Sequence, residues 1–107
     1  MAFRSNHLAS VTVSTETDLV VPQANAEVMV LSIIAVNDHA TQAAIVRIHF
    51  VNSANADLGS IYRGTLQPGD PAFVDVKLII AASATPNKIR VISDNASTSF
   101  YAGWDEG

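Results

Sequence analysis

Cysteine is absent from the 107 residues, so the chain has no disulfide framework, no thiolate zinc site and no thiol nucleophile. Charge is scarce: 15% of the residues are Asp, Glu, Lys or Arg, against about 25% in an average soluble domain. Bases are scarcer than acids, six against ten, giving a formal net charge of −4. Duplex nucleic acid is recognised by a concentrated basic patch, so no nucleic-acid partner is expected. Aromatic residues make up 7% of the chain and Trp104 is its one tryptophan, too few for a platform that stacks single-stranded bases. No apolar run is long. The longest, Val28 to Val36, is interrupted by Ser32, whereas a membrane helix needs about 20 residues, and no membrane partner is expected. No apolar stretch follows Arg4 near the N-terminus, so no secretory leader is read, and synthesis in the cytoplasm is expected.

Low charge combined with 49% hydrophobic residues excludes a disordered chain. The length suits one domain with its own core, spanning residues 1–107. Twelve Val, nine Ile and seven Thr favour a pleated, half-buried surface. The sixteen Ala would favour helix, but they fall in loop-like stretches such as Asn52 to Asp57 and not in helical stripes.

Alternation places strands along the chain. Leu8 to Val13 alternates weakly, and Leu19 to Val21 runs into Pro22, which removes a ladder donor. In Glu27 to Val36, strict alternation puts Val28, Val30, Ser32, Ile34 and Val36 on one face and Met29, Leu31, Ile33 and Ala35 on the other. Both faces are apolar, so a covering arm or another subunit is expected over the second. Thr41 to Val51 directs Ala44, Val46, Ile48 and Phe50 inward and Ile45, Arg47, His49 and Val51 outward. Leu58 to Leu66 is an irregular strand. Pro68-Gly69 forms a type II turn, Pro fixing φ at its second position and Gly supplying a positive φ at its third. Phe73 to Ile80 directs Val74, Val76, Leu78 and Ile80 inward, Lys88 to Ile92 does the same with Ile89 and Val91, and Ser97 to Ala102 is the last strand. About seven short strands at this spacing, without a helix, predict an all-β fold. The expected form is a single antiparallel β-sandwich, Ig-like or jelly-roll-like, with residues 1–7 and 103–107 as terminal arms.

Chemistry is hard to find. His7, His39 and His49 lack the spacing of metal ligands. The Asn52 to Asp57 loop has one carboxylate, too few for calcium. No serine sits in a nucleophile elbow, the glycines form no phosphate cradle, and Asp75 and Lys77 read as a solvated pair. No catalytic residue, cofactor or metal is expected. What stands out is spare apolar surface: Met29, Leu31, Ile33 and Ile79 on outward faces, Phe3 and Trp104 on the arms. Either another register internalises these residues or they meet another subunit.

The layout from about Val20 to Ala102 resembles the small β-sandwich virion structural proteins of tailed bacteriophages, which act as capsid decoration (cement) or tail-associated subunits. The likeness lies in Val21-Pro22-Gln23-Ala24-Asn25-Ala26 leading into Val28 to Val36. It continues through Leu66-Gln67-Pro68-Gly69-Asp70 before Val74 to Ile80, and through Ile89 to Ile92 and Ser99 to Ala102. It departs at Ala84-Thr85-Pro86-Asn87 and at Trp104-Asp105-Glu106. The resemblance implies a non-enzymatic virion protein, assembled in the host cytoplasm. Such a protein binds the outside of the head as a small homo-oligomer such as a trimer. Its partners would be itself and the major capsid protein or another virion protein, with Phe3, Met29, Leu31, Ile33 and Trp104 as contacts. The alternative is a receptor- or glycan-binding module of a tail fibre, with Tyr62 or Trp104 exposed beside Asn52 and Asn55.

Overall fold

The chain doubles back on itself as one long ribbon. In the computed structural model, which describes residues 2–75 and 77–107, the strands are β1 Ala2–Leu8, β2 Thr17–Val20, β3 Val28–Asn37, β4 Ala44–Val51, β5 Asp57–Leu66, β6 Pro71–Val74, β7 Leu78–Ile80, β8 Lys88–Ser93 and β9 Thr98–Glu106. First pairs with last: β1 with β9, β2 with β8, β3 with β6 and β7, and β4 with β5, all antiparallel. The ribbon rolls so that alternate pairs fall in opposite sheets. Sheet A has the order β1-β9-β3-β6, with β7 also on β3, and sheet B the order β2-β8-β4-β5. This is the strand order of a jelly roll, within the all-β sandwich expected from the alternation. Nine strands appear among the described residues, where about seven were expected: Leu8 to Val13 forms no strand beyond Leu8, β1 lies instead at Ala2–Leu8, and Phe73 to Ile80 divides into β6 and β7. Val76 lies outside the described residues.

The core forms where the inner faces meet. Val28, Val30, Ile33, Phe100 and Trp104 of sheet A face Val46, Ile48, Ile89, Val91 and Leu19 of sheet B. The inward residues expected on β8, and Ala44, Val46 and Ile48 on β4, are buried as the period-2 pattern requires. Beyond Ile48 the pairing with β8 keeps its register, so Phe50, opposite the buried Ile89, packs against the core as expected though only partly buried, while Val51, expected outward, is fully buried outside the main core cluster.

Strict alternation also fails in β3. The pairing with β9 slips between Val30 and Ser32, so Leu31 is an extra residue, a β-bulge. After the bulge the faces exchange: Ile33 and Ala35 turn inward, at 1% and 0% exposure, and Ser32 turns outward. Ile33 is therefore a core residue and not a partner contact.

The two expected arms are strands. Ala2–Leu8 pairs along its whole length with the end of β9, Ala2 opposite Glu106 and Leu8 opposite Phe100. Trp104 alternates inward with Phe100 and Ala102 and is 7% exposed, its Nε1–H 3.4 Å from the Glu106 carboxylate. It belongs to the core, which removes it from the exposed contacts. Removing residues 1–7 would strip a sheet edge and not a free tail.

The Pro68-Gly69 turn forms as expected. The Asp70 N–H donates to Gln67 O at 3.0 Å, and Gly69 has φ of +80°. Nothing lies within 4 Å of a Cβ built there, so any penalty is purely of the backbone. Gly69→Ala is expected to cost about 1–2 kcal/mol in urea unfolding, and Gly69→Asn clearly less, since Asn tolerates the left-handed region. Equal losses for the two would show that the turn is not held in that region.

Candidate functional site

The two outer faces of the sandwich differ in chemistry. On sheet B the outward positions carry a network of ions. Lys88 Nζ lies 3.3 Å and Arg90 Nε 2.8 Å from the Asp18 carboxylate, the latter poorly aligned for a hydrogen bond. The Arg90 guanidinium also donates to Glu16 O at 3.2 Å. His49, 5% exposed, binds the Glu16 carboxylate through Nε2. Its Nδ1 lies 3.6 Å from Asp57 Oδ1 and has no hydrogen-bond partner. Arg47 pairs with Asp57 and donates from Nε to Ser60 Oγ at 2.9 Å. Both ring nitrogens of His49 are turned to carboxylates, and the network holds the Glu16 segment onto the sheet. Sequence reading placed Arg47 and His49 outward but missed the network, because Glu16 and Asp18 come from a distant stretch.

Asp57 makes this network sensitive to acid. The Arg47 guanidinium, above all, and the Gly59 N–H at 2.9 Å hold its carboxyl below the usual aspartate range. A carboxyl with a lowered folded-state pKa contributes stability above its unfolded value, lost as the pH falls through the folded one. The urea midpoint of the wild type should therefore drop further between pH 7 and pH 3 than that of Asp57→Asn. Equal drops would remove Asp57 from the acid response.

Beside the network an open hollow of about 400 Å³ lies over Ile45 and Ile92, with Arg47, Arg63, Ser14 and Asp94 around it. No group of three or more His, Asp or Glu side chains suited to a metal occurs among the described residues.

The outer face of sheet A is built differently, in three rows that cross the strands. The first runs Phe3, Asp105, Met29, Ile79. The second is small: Ser5, Gly103, Ser32. The third runs His7, Tyr101, Ile34, Phe73. The bulge at Leu31 keeps these rows aligned, because the extra residue brings Ser32 opposite Gly103 and Ile34 opposite Tyr101. The His7 ring stacks on Tyr101, with centroids 4.1 Å apart and planes 10° from parallel. The Phe3 ring lies over Gly103, where a Cβ would stand 3.3 Å from its Cζ, so a larger residue there would lift the ring. Phe73, Phe3 and Ile79 are 74%, 67% and 60% exposed, and Leu31 is exposed beside them. Asp105 is the one carboxylate in the three rows.

Of the contacts expected from sequence, Phe3, Met29 and Leu31 meet on this face, and Ile33 and Trp104 lie beneath it in the core. Sequence reading missed Tyr101, Ile34 and Phe73 as members. The pairing of β1, β9, β3 and β6 that gathers them joins residues from opposite ends of the chain. Of the aromatics named for a glycan site, Tyr62 is half-buried on β5 and packs against the core. Trp104 is buried, and Asn52 Oδ1 accepts the Ala54 and Ala56 N–H groups at 2.9 and 3.0 Å, closing its own loop.

The class defined by this strand order is the jelly-roll β-sandwich, a fold that hosts many functions. No protein-family model and no curated protein matches the chain in sequence. In fold, the chain is similar to part of chains in solved structures of infectious bursal disease virus. For the Gt strain the identity is 10%, with 97% of this chain and 30% of that chain covered and a TM-score of 0.43. For the Gx strain the values are 8%, 95%, 31% and 0.46. For the T13 viral particle they are 8%, 95%, 30% and 0.46. The chain thus spans about 30% of the length of those chains, and the likeness is one of fold alone.

Proposed function

We propose that the protein is a non-enzymatic virion structural subunit, and within that class a capsid decoration protein that binds the outside of the head as a small homo-oligomer. The observation that carries this reading is the contrast between its faces. One sheet of a jelly roll presents a network of ion pairs beside Ile45 and Ile92, and the other gathers Phe3, Met29, Ile79, Tyr101, Ile34 and Phe73 about a small Ser-Gly-Ser row, with Asp105 the one carboxylate of those rows and Asp75 and Lys77 exposed at the β6–β7 edge. Monomers rarely leave so many large apolar side chains gathered on one open face, so the protein works with that face covered. The sequence layout shared with phage virion proteins supports the same reading. Repetition on a symmetric shell would let many weak contacts of this kind add up.

The test uses particles banded from lysates of the host that carries the gene. An antibody raised against the purified chain is applied to them and viewed by immunogold electron microscopy. Gold on the heads is the expected result. Gold confined to tails would favour the tail-associated alternative, and chain found only in the particle-free fraction would overturn the virion reading altogether.

A further inference from the structure

We propose that the outer face of sheet A is the contact between two copies of this chain, stacked sheet on sheet about a two-fold axis. The inference deepens the reading above, since it names the partner of the apolar face and the symmetry of the homo-oligomer.

Three features commit this face to a second copy. The first is its size. Four strands about 4.8 Å apart, crossed by the ten residues of β3 at about 3.3 Å each, give a plane on the order of 600 Å² before side-chain relief is added. A standard interface covers about 800 Å² on each partner. The second is charge. Two copies each carrying −4 repel least where few charges meet, and the three rows hold one carboxylate, with Asp75 and Lys77, of opposite sign, exposed between Phe73 and Ile79 at the edge. The third is the placement of Asp105, which sits in the first row and away from the centre. Of the two-fold axes that can lie in the plane of the face, one crosses the strands at right angles and one follows them. In the first case Asp105 comes opposite Tyr101 of the other copy, a phenol able to donate to the carboxylate. In the second it comes opposite Met29. In neither arrangement do the two carboxylates meet.

The shape supports pairing over ring formation. A flat patch that meets its own copy is self-complementary and closes at two, whereas a three-membered ring needs two different patches. Phe73 and Phe3, aromatic and exposed, have the character of anchors that interfaces bury.

Sedimentation equilibrium of the full chain from micromolar to millimolar concentration tests the proposal. A monomer–dimer equilibrium is expected. Phe73→Asp and Ile79→Asp should each weaken it by roughly tenfold or more, since each buries an unpaired charge at the contact. Ile45→Asp, on the outer face of sheet B, should leave it unchanged. Circular dichroism confirms folding, and Phe73→Ser, which adds no charge, should also weaken the dimer. A chain that stays monomeric, a trimer, or a dimer indifferent to the Phe73 and Ile79 changes would overturn the pairing. Particle attachment is scored separately. A monomer that still decorates particles overturns the pairing and leaves the virion reading standing. A wild-type dimer that Phe73→Asp breaks, but that in wild-type form attaches to no particle, upholds the pairing and removes the virion reading.

Discussion

Asn37→Ala is expected to lower the stability of the fold by about 3 kcal/mol, equivalent to a fall in Tm of roughly 15 °C for a domain of this size. Asn37 ends β3 and is fully buried. Its side-chain amide donates to Gln42 O at 2.8 Å and to Leu66 O at 3.0 Å, and its Oδ1 accepts the His39 N–H at 3.0 Å. Its backbone adds bonds to Asp70 O and from the Gly69 N–H. One side chain thus ties the β3–β4 loop to the end of β5. Alanine leaves two carbonyls and an N–H without that partner and opens a void as well. Each buried polar group stripped of its bond costs about 1–3 kcal/mol, and the more accessible of these recover part of that from water. Asn37→Asp is the sharper variant. It keeps the acceptor for His39 but sets a carboxylate against two carbonyl oxygens, so its loss at neutral pH should equal or exceed that of alanine. Urea unfolding of both variants decides the matter. A loss under about 1 kcal/mol for each would mean that this end of the sandwich is held by other contacts.

Trp104→Ala is expected to cost about 3–5 kcal/mol, the range for removing a large aromatic side chain from a packed core. Phe3 pairs with Asp105, the next residue along β9. Phe3→Ala should nonetheless stay within about 0.5 kcal/mol in the isolated chain, because Phe3 is exposed. The contrast separates two roles that the sequence alone makes look alike. Trp104 is the one tryptophan, so the intrinsic fluorescence of the wild type reports on it directly. Emission from the folded protein should lie at short wavelength, resist quenching by iodide, and shift to the red in urea. Free quenching in the folded state would place the indole outside the core.

Much of the fold can be read from residue order alone. The period-2 pattern is explicit in Lys88 to Ile92, where Ile89 and Val91 alternate with Lys88 and Arg90. The Pro68-Gly69 dipeptide names its own turn. The bulge at Leu31 is not readable, because Val28 to Val36 is apolar at both parities and an inserted residue leaves no polar mark. Residues 103–106 read as a tail because Gly, Asp and Glu surround the tryptophan, and the strand that pairs with them begins at the opposite end of the chain. Asn37 and Asn95 carry the signature of turns, and both do sit at strand ends. What the sequence hides is that sheet ends close over them, so that their amides hold neighbouring backbone segments rather than water. The apolar face was visible only as a surplus. Its members are adjacent across strands, and adjacency across strands follows from the roll.

The doubled ribbon also imposes an order in time. Between β4 and β5 the chain need close only the short loop from Asn52 to Ala56, whose ends bond through the Asn52 N–H and Ala56 O at 3.1 Å. Every later pair encloses a longer loop, and β1 with β9 encloses nearly all of the molecule. Loop-closure entropy grows with length, and folds dominated by distant pairings form slowly, in milliseconds to seconds. The cheapest route starts at the β4–β5 hairpin and zips outward through β3 and β2, leaving β1 to dock last. The same strand then has the least to lose on opening, so amide exchange should be fastest along β1 among the strands. A pairing that buries Phe3 would slow it most there.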